Sequence, residues 1–156
     1  MKKVILLLVF ISSLSFGFEM DYNKDTVGVV RHMKVFKEPK WVCKIELING
    51  KKFFFVSPKS MMEFYQQPGK WFDLGVKSEK DFKDILVTDF KTGLAVKAKG
   101  AFFIYGTNVT SPAGDDLVTF NSYAAAEEFS KKHHGKRILN FREVSPALIR
   151  LLNGRI

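Results

Sequence analysis

Apolar and polar positions change period several times along this chain. From Trp41 to Asn49 the run WVCKIELIN alternates in part, Asn49-Gly50 is a turn pair, and KKFFFVS resumes a β-rich run. That pattern predicts a hairpin closed by a type I′ turn. The period then becomes helical. Ser57 stands as an N-cap with Pro58 at the first helical position. Met61, Met62, Phe64 and Tyr65 follow at helical spacing until Gln67-Pro68-Gly69 stops the helix. A loop of mixed polarity, GKWFDLGVKSEKDFK, leads to a predicted strand over Asp84 to Phe90. The first unit reads β-β-α-β.

The second half follows the same plan. Leu94 to Ala98 and Ala101 to Tyr105 are β-prone and flank Lys99-Gly100, TNVTSPAGDD reads as a loop, and LVTF leads into Ser122. Ser122 caps a helix from Tyr123 to Lys132, which Gly135 closes. Arg137 to Val144 alternates as a strand, and Pro146 to Leu152 forms a short terminal helix. Phe55, Ser57, Glu63 and Phe64 fit F-x-S-x5-E-F, and Phe120, Ser122, Glu128 and Phe129 fit it again 65 residues on. Capping and burial alone can bring Ser and Phe to such junctions. With the shared order of elements, the expectation is an α+β chain of two duplicated ββαβ units, residues 18–92 and 93–156.

The first seventeen residues read as a leader rather than as part of that fold. Lys2 and Lys3 precede an apolar stretch from Val4 to Ile11, and Ser15-Phe16-Gly17 supplies small residues before a cleavage point at Phe18. The stretch is too short to span a bilayer, and no Cys stands at the cleavage point to carry a lipid. The expected location is the periplasm, without a lipid anchor. Removing the two leader lysines and no acids takes the formal net charge from +9 to +7. An exported chain does not meet nucleic acid, so the charge points to solubility, steering toward an acidic partner, or peripheral contact with a membrane surface.

With 46% apolar residues and 16 Phe, the chain can bury a sizeable core, and its single Cys excludes both a disulfide framework and a Cys-rich zinc site. GxSxG, HExxH, Walker and dinucleotide-binding patterns are all missing. Asp73, Asp84, Asp89, Asp115 and Asp116 form no motif. A non-enzymatic protein is expected. The sulfur and imidazole groups invite a soft metal such as Cu(I). Met61 and Met62 fall in the first helix as core fillers, Met20 lies in a polar terminal stretch, and His133 and His134 end the second helix. His32-Met33 differs, because it sits in the apolar-flanked run VGVVRHMKVF. On a strand the two side chains face opposite ways, so both can serve one ion only where the backbone bends. Cys43, on the first hairpin strand, is either a third donor or a small core residue.

Met33 to Val42 (MKVFKEPKWV), NGKKFFFVSPKSMMEFY, TDFKTG, AFFIYGTNVTSPAGDDLVTF and the second helix with its following H-G together resemble the NosL family, copper-binding accessory proteins of nitrous oxide reductase maturation. The resemblance runs from about Val27 to Val144. It implies a duplicated ββαβ fold similar to the core of organomercurial lyases, and periplasmic delivery of Cu(I) to the copper-insertion machinery or the apo-enzyme. The family's C-x-x-C-G-M ligand pattern stands here as Gly28-Val29-Val30-Arg31-His32-Met33, and the Met of its G-P-M-G loop stands as Ala113 in Ser111-Pro112-Ala113-Gly114. Of the expected sulfurs only Met33 is kept. Two outcomes follow: a remodelled site of Met33, His32 and Cys43, or a docking module that keeps the fold without the copper site.

Overall fold

The computed structural model describes residues 17–155, so the predicted leader, apart from Gly17, lies outside the described residues. Strands β1 (Cys43–Leu47) and β2 (Lys52–Phe55) form the first hairpin, followed by α1 (Pro58–Gln66), a 3-10 stretch Pro68–Leu74 and β3 (Phe82–Thr88). A short strand, β4 (Ala95–Lys97), completes an antiparallel sheet of order β2-β1-β3-β4. The second sheet is built from β5 (Phe102–Ser111), β6 (Gly114–Phe120) and β7 (Arg137–Asn140), in the order β6-β5-β7. Between β6 and β7 lies α2 (Tyr123–Lys132), and α3 (Pro146–Leu152) ends the fold.

The two orders match element for element, with β1, β2, α1 and β3 corresponding to β5, β6, α2 and β7. Both predicted caps are present: Ser57 Oγ accepts from Ser60 N and Ser122 Oγ accepts from Ala125 N, each at 3.3 Å. An α+β fold of two ββαβ units is what the chain adopts.

Four local expectations need correction. Leu94 to Ala98 does not pair with Ala101 to Tyr105; β4 instead joins β3, which carries the first sheet past residue 92. The strand partner of Phe102 to Tyr105 is β6, and the supposed loop TNVTSPAGDD is the tip of that hairpin. Its polar composition hid the strand. The turn comes at Pro112-Ala113, with Gly114 left-handed at φ 86° and the Ala113 N–H donating to Ser111 Oγ. The first hairpin does not use a type I′ turn, because Gly50 has positive φ while Asn49 does not. It closes with a longer loop whose last residue is the left-handed glycine. At the end of α2 the left-handed residue is His134, and Gly135 is required for space: a Cβ there would lie 2.3 Å from Ser130 Oγ.

One core spans both units. Cys43, Ile45 and Leu47 of β1, Met61, Met62 and Phe64 of α1, and Phe103, Leu117 and Leu139 of the second sheet belong to it together. Helix α1 thus lies between the two sheets, and every residue from Pro58 to Phe64 is buried. Helix α2 covers the far face of the second sheet, against Ile104, Val118 and Phe120. The N-terminal segment covers the far face of the first sheet. There the Lys44 ammonium donates to the Asp21 carboxylate at 2.6 Å and to the Glu19 carbonyl, and Met20 and Tyr22 pack toward Val35, Val42 and Val56. The polar terminal stretch is therefore ordered by an ion pair from the sheet.

The duplicated phenylalanines differ in burial, Phe64 being fully enclosed while Phe129 is half-buried. Phe64→Ala is expected to cost roughly 3–5 kcal/mol, the range for emptying an enclosed aromatic site, and Phe129→Ala about 1–3 kcal/mol. Chemical denaturation of the two variants checks the order; equal losses would contradict it.

Candidate metal centre

The segment before the first hairpin is a tight turn held at both ends. Val27 and Lys34 form a β-bridge, Gly28 N donates to the Met33 carbonyl at 2.8 Å, and His32 N donates to the Gly28 carbonyl at 2.8 Å. Gly28 is buried against β2, where a Cβ would meet Val56 Cγ1 at 3.3 Å. His32 takes the left-handed conformation, φ 53°, uncommon for a residue with a Cβ. This is the backbone bend that the two neighbouring donors require, and His32 and Met33 line one cleft.

That cleft has a volume of about 580 Å³, with Thr110, Ser111 and Pro112 of the β5–β6 tip on its other wall and Trp41 among its lining residues. Met33 is 42% exposed, so its thioether is open to solvent. His32 and Met33 of the turn and Ser111 and Pro112 of the tip thus line one cleft, while Ala113 packs toward Val35, Val42 and Val56. Cys43 is not with them. It is 1% exposed within the main core, its Sγ within 3.5 Å of the Trp41 carbonyl, and it does not line the cleft. Burial, with Asp116 adding to it, pushes the Cys43 thiol well above its ordinary pKa range. His133, at the C-terminal end of α2, stacks on Phe129 with ring centroids 4.1 Å apart and does not line this cleft. Among the described residues no group of three or more His, Cys, Asp or Glu side chains could hold a metal ion.

Both walls are fixed from α1. From the turn, Arg31 donates to the Glu63 carboxylate at 3.0 Å, to Ser60 Oγ at 3.2 Å and to Asn153 Oδ1 at 2.6 Å. From the hairpin tip, the Ala113 carbonyl accepts from buried Lys59 Nζ at 2.8 Å, and Ser111 Oγ donates to Asp116 at 2.8 Å. Asp116 also accepts from Lys59 N at 2.7 Å, at the start of α1. Burial lowers the Lys59 ammonium pKa, and burial raises that of the Asp116 carboxyl. The hard oxygens of the tip are thus committed to structure. Of the cleft's lining, His32 and Met33 offer a borderline and a soft donor that suit Cu(I), and Glu38 adds one carboxylate at its edge.

Sequence reasoning missed Arg31, Lys59, Glu63 and Asp116 as the groups that build this cleft. Glu63 had been noted only as a repeat position and Asp116 only as a loop carboxylate. The available signal was Lys59 and Glu63, four residues apart on either side of Ser60-Met61-Met62 in the first helix.

Two ββαβ units with a cleft lined by His32 and Met33 define the class. The NosL family model matches residues 19–149, and the chain belongs to that family. Among solved structures, the copper chaperone NosL from Shewanella denitrificans has the same fold, with a TM-score of 0.69 and 18% identity over 84% of this chain and 98% of that one. No curated protein sequence matches the chain.

The burial of Cys43 has a direct consequence. A thiol with raised pKa stays neutral through the mildly alkaline range, and only the thiolate reacts. A maleimide or disulfide reagent is expected to leave Cys43 unmodified in the native protein from pH 7 to 9 and to label it fully in denaturant. Rapid native labelling would mean that the thiol reaches solvent.

Proposed function

We propose that this chain is an exported, NosL-type copper-handling protein that binds Cu(I) through Met33 and His32 and passes it on during nitrous oxide reductase maturation. The observation that carries this reading is the left-handed bend at His32, with the adjacent His32 and Met33 both lining one open cleft together with Ser111 and Pro112. Membership of the NosL family and the fold shared with a copper chaperone support it. Two donors hold a soft ion loosely, which suits a carrier that must release its cargo. The recipient is the copper-insertion machinery or the apo-enzyme, either of which can supply a further ligand during transfer.

A second reading has its own support. Cys43 is enclosed in the core and Ala113 stands where the family has a thioether, so the donor set is smaller than the family's. On that reading the protein docks to the same machinery without carrying copper.

Competition with a chromogenic Cu(I) chelator decides between them. A carrier is expected to hold about one Cu(I) per chain, as one cleft with two donors implies. It should weaken by on the order of tenfold or more on Met33→Ala or His32→Ala, and stay unchanged on Cys43→Ser. Complete loss of Cu(I) to a weak chelator selects the docking reading.

Export is proposed from the leader read in residues 1–17, and the absence of a Cys at the cleavage point argues for an unlipidated product. Intact-mass measurement of periplasmic material should give a chain beginning near Phe18 without a lipid increment. A mass that retains the leader, or one raised by acyl chains, would overturn this part.

A further inference from the structure

The two units are built alike, yet the helix phenylalanine of the first is enclosed and that of the second is half-buried. Phe64 and Phe129 each stand seven residues after a capping serine and each pack on the phenylalanine of the preceding strand, with centroids 5.2 Å from Phe55 and 5.1 Å from Phe120. In the first unit the long connection between α1 and β3 returns Trp71, which stacks on Phe64 at 4.9 Å with the rings 21° apart. The second unit lacks so long a connection, because α2 ends at Lys132 and β7 begins at Arg137, and the smaller ring of His133 stacks on Phe129 instead, 4.1 Å between centroids and 26° between planes. Phe129 is left half-buried, with the Phe90 ring 5.4 Å away and His133 stacked beside it.

These rings floor a cleft of about 260 Å³ whose rim carries Lys40, Lys91 and Lys132 against one carboxylate, Glu128. Lys40 Nζ stands 5.1 Å above the Phe90 ring, and the Lys91–Glu128 pair, 3.5 Å apart and largely solvated on both sides, does little to neutralise the rim. The rim is cationic and the floor is aromatic. Moreover, Trp41 packs edge-on against Phe90 at 5.2 Å while also lining the cleft of His32 and Met33, so the two clefts are neighbours across one residue.

We propose that the cleft over Phe90, Phe129 and His133 is a docking site for an aromatic side chain carried on an acidic segment of a partner protein. The occupant's ring packs on the open part of the floor formed by Phe90, Phe129 and His133, and its flanking carboxylates face the lysines of the rim. Aromatic pairing adds to the area buried, while the charges speed and orient encounter and make it sensitive to salt. The site does not depend on copper.

The test uses the metal-free protein and three blocked pentapeptides: Glu-Asp-Trp-Asp-Glu, the same peptide with Ala for Trp, and Lys-Lys-Trp-Lys-Lys. Ring resonances of Phe90, Phe129 and His133 are followed by NMR. The acidic Trp peptide is expected to shift these resonances saturably, to bind more weakly as salt rises, and to lose roughly tenfold in affinity when Lys91→Glu and Lys132→Glu are combined. The Ala and Lys peptides should leave them unmoved. Lys40→Glu, on a different element, should weaken binding independently. Unmoved rings, equal binding of the Lys peptide, or shifts that map to the Met33 cleft would each overturn the proposal. So would anionic phosphatidylglycerol vesicles shifting these rings where the acidic peptide does not.

Discussion

One buried carboxylate fastens the turn bearing His32 and Met33 to the central helix. Glu63 is 3% exposed, and its oxygens accept from Arg31 and Asn153 at 3.0 Å, with Arg155 at 3.5 Å and Lys70 at 3.8 Å. One acid on α1 thereby fastens the N-terminal turn and the C-terminal residues after α3 to the central helix. A buried pair of this kind adds little over a hydrophobic replacement of both members, but removing one member leaves a charge enclosed without compensation, at a cost of about 3–5 kcal/mol. Its contribution is therefore position rather than net stability.

Lys59 does the same at the start of α1. Its ammonium donates to the carbonyls of Ala113 and Leu152, and its N–H donates to Asp116, which in turn holds Ser111. The two walls of the candidate metal cleft, from segments some eighty residues apart in sequence, are referenced to a single nine-residue helix. That explains why duplication did not produce two equal helices. Glu128, the repeat partner of Glu63, has its side chain 77% exposed, and α2 contributes one buried residue, Ala126, in a sequence rich in small and charged side chains. Only the first unit's helix was drawn between the sheets, and the polar groups it carries there had to be satisfied.

Local chemistry was legible wherever it acted over a few residues. Ser57 and Ser122 as caps, Pro58 at a first helical position and the stop after α1 all follow from short-range rules, and the repeat of Phe, Ser and Glu pointed to the duplication. Pairing over distance was not legible. Ala95 to Lys97 reads equally well as the arm of a following hairpin or as an edge strand, and its bridge to β3 is a tertiary choice. The Thr107 to Ser111 stretch looked like a loop because an edge-facing strand with polar alternation has no apolar run to betray it. His32 gave no local sign of its left-handed bend, since that conformation is imposed by the Gly28 to Met33 hydrogen bonds and by the buried Gly28. The ambiguity of Cys43, donor or core residue, resolves structurally because the alternation of β1 sends Cys43, Ile45 and Leu47 to the same side, toward α1.

With the thiol enclosed, the cleft can engage a soft ion only through groups that neither deprotonate to a thiolate nor enclose it, and this sets the kind of carrier the proposed reading describes. A thioether and an imidazole on an exposed turn give modest affinity and fast release, so retention against competing thiols cannot come from the ligands alone. Selectivity for a recipient must then be supplied by the protein surface around the cleft. The turn is held rigidly by Arg31 and Glu63, the opposite wall by Lys59 and Asp116, and the neighbouring aromatic cleft is linked through Trp41 and Phe90. A partner bound at that second cleft would meet a metal site whose walls are already set, which reduces the ordering that association must otherwise supply.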